Sequence, residues 1–371
     1  MSKKGLAVIY DPHNLYQFLW YYCTYGKDIE WYALCLPNSY KGEYLSKECK
    51  KLNIFKEIYT DSVPFDSLPF RKKISLFFQM LIYALIGRQK KFASNFISPY
   101  IKDLSFDTAV ILTDIGFISG MFCLFGKEKE IVILEDGMGD YEDRKYINIF
   151  KHLKNFYDIQ GFFLSLLRYS SPSHYFPLYT SKNCIKFCSH PEKMKYKKYK
   201  EMRVLFDMNN TDLELFKHFI YMLYPNIKDY FSENKQVILF TTPLSDYVTN
   251  TKPYVNLIEE YINKNYSDII VKKHPRDNAN YNFSNGVIEI PQQIPAEVLL
   301  PFLGKMKILF METSALNLYI SSFGYIPYFF YFNTLFEDNK IEKDILSKYY
   351  TKDELADKLN YYNFDGNIIT I

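Results

Sequence analysis

The chain has 371 residues, with 45 Lys and Arg against 42 Asp and Glu and a net charge of +3. Such a balance gives no sign of a nucleic-acid partner, and 48% hydrophobic content with 23% charge excludes a disordered chain. The length admits two domains with sizeable cores.

The 35 Tyr and 32 Phe are an unusual load, compatible with sugar binding or membrane contact. Six cysteines, at 23, 35, 49, 123, 184 and 188, show no disulfide-framework spacing. The opening MSKKGLAVIYD holds too short an apolar stretch for a secretory signal. A reducing, cytoplasmic location is therefore expected. Cys184, Cys188 and His190 have loosely metal-like spacing, but no fourth ligand stands nearby and no metal is expected.

In chain order, Leu6 to Tyr10 (LAVIY) reads as a buried strand, followed by the loop Asp11-Pro12-His13-Asn14 and an aromatic helix from Leu15 to about Tyr25. Trp31 to Leu36 (WYALCL) is a second strand. This β-α-β rhythm predicts a parallel sheet, and no G-x-G-x-x-G fingerprint follows the first strand. At residues 71–91, RKK and RQKK bracket ISLFFQMLIYALIG. The apolar run would span about 21 Å as a helix, short of a bilayer core of about 30 Å. It reads either as a buried helix with solvated ends or as a segment lying on an anionic surface. A second basic and aromatic cluster, KMKYKKYK at 193–200, tilts the balance towards a peripheral membrane surface.

Phe106 to Thr113 is a strand turning at Asp114-Ile115-Gly116, and Glu130 to Leu134 is a strand ending in Glu135-Asp136-Gly137. Asn209-Asn210-Thr211-Asp212 is a helix-start signal, with Thr211 or Asn210 as cap. This helix and Ser232-Glu233-Asn234 mark the crossing between domains at 1–228 and 229–371. The second half restarts with Val237 to Thr241 and Thr242-Pro243-Leu244. Its next strand, Asp268 to Lys272, runs into Lys273-His274-Pro275-Arg276. A short strand at Val287 to Ile290, a helix at Pro295 to Phe302 and a strand at Lys307 to Met311 precede Glu312-Thr313-Ser314-Ala315. A last helix is expected over Thr351 to Asn360, before a short apolar end.

The chemistry-bearing residues stand at strand ends, where α/β folds place their sites. A carboxylate such as Glu135 or Asp136 could take a proton from an attacking hydroxyl. Hydroxyls and free N–H groups at Thr313-Ser314 could meet the charge of a departing phosphate. His274 beside Lys272, Lys273 and Arg276 could donate a proton or a hydrogen bond. Each piece also has a bland reading: turn chemistry for Glu-Asp-Gly, a turn start for His-Pro, an N-cap for Thr-Ser. The second His-Pro, in Ser189-His190-Pro191, follows no comparable strand and reads as structural. Asp11, His13 and Asp114 are candidates for acceptor contact.

Taken in order, Glu135-Asp136-Gly137, His274-Pro275 and Thr313-Ser314 resemble the signatures of bacterial sialyltransferases: an acidic pair before glycine, a His-Pro and a Ser/Thr-Ser pair. VILFTTPL (Val237 to Leu244), Lys272 and IPAEVL (Ile294 to Leu299) agree. The nearest likeness is to the lipooligosaccharide and capsule enzymes of glycosyltransferase family 52, with the polysialyltransferases behind. The resemblance implies an α/β fold of GT-B type, two Rossmann-like domains facing across a central cleft. It implies an inverting, metal-independent transfer without cofactor, from CMP-sialic acid to a galactose-type hydroxyl of a bacterial surface glycan, in some cases lipid-linked. Glu135 would be the general base, with Asp136 in support, and His274 would assist departure of CMP. Thr313 and Ser314 would hold the phosphate and Glu297 the ribose, with Lys272 and Pro275 bordering the cytidine; Thr242 lies in the donor-side loop. Glu stands at the base position where several relatives carry Asp. Other readings remain: a GT-B transferase using a CMP-Kdo-like, UDP- or GDP-sugar, or a non-catalytic glycan-assembly protein. The aromatic-rich first domain leaves room for a homodimer surface.

Overall fold

The structure is a computed structural model of the chain. It describes residues 2–36, 42–60, 70–112, 117–135, 181–194, 199–231, 237–246, 250–284, 286–311, 316–331, 353 and 366–370. The chain divides into two compact units, Met1–Leu223 and Tyr224–Ile371.

In the first unit, β1 (Lys4–Ile9) leads into α1 (Pro12–Tyr21), which continues as one wide π turn, Tyr22–Gly26. The helix begins three residues before the predicted Leu15 because the Asp11 side chain caps the Asn14 N–H at 2.7 Å and Pro12 is preset for a first turn. There follow β2 (Glu30–Cys35), α2 (Gly42–Leu52), β3 (Phe55–Thr60), α3 (Phe70–Leu85), α4 (Gln89–Ile97), β4 (Thr108–Ile111), α5 (Phe117–Cys123) and β5 (Glu130–Ile133). After β5 come β6 (Ile185–Cys188), β7 (Glu201–Val204) and α6 (Leu213–Leu223). The cap of α6 is Asp212, whose Oδ1 accepts the Leu215 N–H at 3.1 Å. Thr211 instead turns its hydroxyl to the Asp207 carbonyl at 2.6 Å.

The strands of this unit form one sheet in the order β3-β2-β1-β4-β5-β6-β7, every pair parallel. Its central strands are buried on both faces, as parallel sheets covered by helices require. Many aromatics are spent in this core. Trp20 meets Phe216 at 4.5 Å between ring centres, Phe18 meets Trp31 at 5.0 Å, and Tyr16 meets Phe216 at 5.3 Å.

The second unit contains β8 (Val237–Phe240), α7 (Lys252–Asn265), β9 (Asp268–Lys272), β10 (Gly286–Ile290), β11 (Lys307–Phe310), α8 (Leu316–Ile320), β12 (Pro327–Tyr331) and β13 (Asn367–Thr370). The stretch expected to be a helix from Pro295 is a 3-10 turn, Ala296–Phe302, interrupted by Pro301. The sheet order β10-β9-β8-β11-β12-β13 is again wholly parallel. Both orders run outward from a reversal point beside the first strand, the doubly wound arrangement. Two such domains in tandem are the GT-B build. The predicted helix 351–360 and the crossing residues Ser232-Glu233-Asn234 lie outside the described residues, Asp353 apart.

Candidate active site

Glu135 leaves the end of β5 with no exposed surface. A buried carboxylate needs donors to replace its lost hydration, and the neighbouring strand supplies them. β6 ends at Cys188, so the next residue, Ser189, arrives beside β5. Its hydroxyl donates to Glu135 Oε2 at 2.6 Å and its backbone N–H donates to the same oxygen at 3.0 Å. The Glu135 carbonyl accepts from Gln17 Nε2 of α1 at 2.8 Å. One residue earlier, the Leu134 carbonyl accepts from the ammonium of Lys186, itself fully buried, at 2.8 Å. The expectation that Ser189-His190-Pro191 follows no comparable strand is corrected: β6 is completely buried and pairs with β5. Ser189 was detectable by the logic that singled out Glu135, a polar residue just past a buried strand.

At the start of α1, Asp11 is the helix cap and Asn14 Oδ1 accepts the Tyr10 N–H at 3.1 Å. His13 occupies the first turn and is half-buried. Gln17, one turn on, is the link from this helix to Glu135. Asp114 and Asp136 lie outside the described residues.

In the second unit the ends of β8 and β9 are tied through one carboxylate. The Thr241 N–H donates to the Lys272 carbonyl at 3.1 Å, and the His274 N–H donates to Thr241 Oγ1 at 3.2 Å. Thr241 Oγ1 in turn donates to Asp277 Oδ2, which also accepts from the Tyr281 hydroxyl at 3.0 Å. Oδ1 of Asp277 accepts the Ala279 N–H at 3.0 Å. Gln292 Nε2 closes the loop, donating to the His274 carbonyl at 3.2 Å and the Asp277 carbonyl at 2.9 Å. Burial, with the Asp277 carboxylate beside it, keeps the Tyr281 phenol protonated far above its ordinary range. Asp277, Tyr281 and Gln292 were not read from the sequence. Asp277 follows a turn, where an acidic residue is ordinarily solvated, yet here it is 2% exposed.

This frame orients His274. Its Nδ1 accepts the Arg276 N–H at 3.2 Å, which leaves Nε2 as the ring nitrogen able to donate. Pro275 and Arg276 are exposed. Lys272 is buried, its ammonium donating to the carbonyls of Lys273 at 2.8 Å and Gln292 at 3.2 Å. Burial pushes its pKa down to about 8, and the carboxylates of Glu297 and Glu289 partly offset this. Lys272 thus braces the His-Pro turn and senses Glu297 electrostatically. Thr242 is buried after β8, and Glu297 lies half-buried in the 3-10 turn. Thr313 and Ser314 lie outside the described residues. Among the described residues, no three His, Cys, Asp or Glu side chains are grouped to hold a metal ion.

No curated protein matches the chain. Among solved structures, the glycosyltransferase SnogD from Streptomyces nogalater is 11% identical, covering 88% of this chain and 81% of its own, with a TM-score of 0.46. Arabidopsis thaliana UGT89C1 complexed with UDP is 10% identical over 99% and 86%, with a TM-score of 0.48. The UDP-GlcNAc 2-epimerase from Methanocaldococcus jannaschii is 13% identical over 100% and 88%, with a TM-score of 0.49. All three fall below a TM-score of 0.5, and the fold assignment stands on the two parallel sheets themselves. The family model described as alpha-2,8-polysialyltransferase matches residues 67–314. That range is well over half the chain; it includes Asp114, Glu135, Lys272, His274, Glu297 and Ser314 and begins after Asp11 and His13. The chain belongs to the alpha-2,8-polysialyltransferase family.

Proposed function

We propose that the protein transfers sialic acid from CMP-sialic acid to a hydroxyl of a surface glycan, with inversion at the anomeric carbon. The observation that carries this reading is the family match across a range containing all three strand-end motifs. The acceptor oxygen attacks the anomeric carbon as the bond to the CMP phosphate breaks. Glu135 takes the acceptor proton, Ser189 holds its carboxylate in register, and Asp136 supports it. The departing electron pair ends on the phosphate, to which His274 donates through Nε2–H; the accepted bond at Nδ1 supports that assignment. Thr313, Ser314 and Thr242 bind the phosphate side, Glu297 binds the ribose, and Lys272 and Pro275 border the cytidine. Asp11, His13 and Asp114 contact the acceptor.

The galactose-type acceptor expected from the sequence has a rival in the family's own description. A 2,8 linkage favours a glycan already ending in sialic acid. The place of action is the inner face of the cytoplasmic membrane, where lipid-linked acceptors are assembled. No helix among the described residues is long and apolar enough to cross a membrane.

Mass spectrometry of products from CMP-sialic acid with galactosides and sialylated galactosides tests the reaction and separates the two acceptors. Glu135→Gln and His274→Ala should each lower product at least about a hundredfold with melting unchanged. Protection against thermal unfolding by UDP or GDP, with none by CMP or CDP, would remove the CMP-sugar assignment.

A further inference from the structure

The helix α3 is apolar on two opposite faces. At about 100° per residue, Leu76, Met80 and Tyr83 share one side and pack on the core of the first sheet. Phe78, Ile82 and Leu85 share the opposite side, within an arc of about 60°, where a surface helix ordinarily carries polar residues. These side chains are 56%, 56% and 77% exposed, and Ile86 in the following turn is 57% exposed. Among the described residues, eight large hydrophobic side chains are exposed, and four of them stand on this nine-residue stretch. Scattered apolar exposure is ordinary; a contiguous ridge marks a contact surface.

Charge selects what it contacts. Arg71 and Lys72 are exposed in the first turn of α3, where no acidic residue accompanies them. Cations at a helix amino terminus oppose the helix dipole, a cost that an anionic surface beside them would offset. At the other end, the backbone turns through Gly87 (φ 68°), and Arg88 and Lys91 are exposed just beyond it. An apolar ridge with cations at both ends matches the layering of an anionic bilayer, acyl chains below and phosphates above. A second copy of the chain would set these like charges against each other. At 16 residues the helix is about 24 Å long, too short to span, and its opposite face is already packed.

We propose that the Phe78, Ile82, Leu85 and Ile86 ridge is the surface by which this protein lies on an anionic phospholipid bilayer, with Arg71, Lys72, Arg88 and Lys91 engaging the headgroups. This rests on the membrane reading above for its setting and is independent of the transfer chemistry.

The test is flotation of the full chain with phosphatidylglycerol/phosphatidylcholine vesicles and with pure phosphatidylcholine vesicles, at low and high salt. Binding should require phosphatidylglycerol and weaken with salt. Phe78→Ser with Ile82→Ser should lower partitioning at least about tenfold, and Arg88→Glu with Lys91→Glu should do likewise. Val287→Ser, at an exposed apolar position of the second unit, should bind as the parent does. Melting curves and transfer to a soluble acceptor should be unchanged in all of them. A parent chain that stays unbound, or a Phe78/Ile82 variant that floats like the parent, overturns the proposal. So does a concentration-dependent dimer that the same variant abolishes, which would make a second copy the occupant. Vesicle binding without any sialyl transfer would leave the surface standing and remove only the transferase reading.

Discussion

Ser189 spends both of its donors on one oxygen of Glu135, its hydroxyl at 2.6 Å and its backbone N–H at 3.0 Å. The contact spans 54 positions in sequence but joins the ends of two adjacent strands. In Ser189→Ala the backbone donor remains and the hydroxyl is lost. One hydrogen bond fewer to the ionised carboxylate favours its protonated form. The acidic limb of the kcat/KM profile should move up by about one pH unit. Ser189→Thr should restore most of that shift. An unshifted limb in the alanine variant would show that Ser189 braces the fold without tuning the base.

Asp277 holds the His-Pro turn from beneath by accepting from Thr241, Tyr281 and the Ala279 N–H. Asp277→Ala leaves these donors buried and unsatisfied, at a cost of about 3 kcal/mol. Urea denaturation should show that loss. Because His274 loses its support through Thr241, kcat should fall further than the residual folded fraction accounts for.

Lys272 gives a dependence on alkaline pH whose sign is fixed. Its pKa is about 8 in the folded protein against an ordinary 10.5. Below pH 8 folded and unfolded chains both carry the proton. Between about 8 and 10.5 the unfolded chain binds more of it, so stability contributed by this group rises with pH. The rise is at most about 3 kcal/mol. Denaturant titrations at pH 7.5 and 10 should show the gain in the parent chain relative to Lys272→Met. A parent-minus-variant difference that stays flat across that range would contradict it.

The sequence exposed what apolar runs can expose. β1, β2, β4, β5, β8, β9 and β11 are buried central strands, and each reads as a block of Val, Ile, Leu or aromatics ending in polar residues. β3 (FKEIYT) and β7 (EMRV) form the two edges of the first sheet. Edge strands carry charge against unwanted pairing, so their pattern does not differ from that of a loop. In the site, Glu135 and His274 stood out because each follows a long apolar strand. Asp277 did not, because its partners Thr241, Tyr281 and Gln292 come from separate elements and only folding brings them together.

The pairing of β5 with β6 has a consequence for how this protein can change. Glu135 and Ser189 follow closely on two paired strands, so the register of that ladder, Val132 opposite Ile185 and Ile133 opposite Lys186, fixes their contact. A slip of one residue would turn the side chains of β6 to the opposite face. A substitution that shifts this pairing would therefore part Ser189 from the carboxylate without touching either residue.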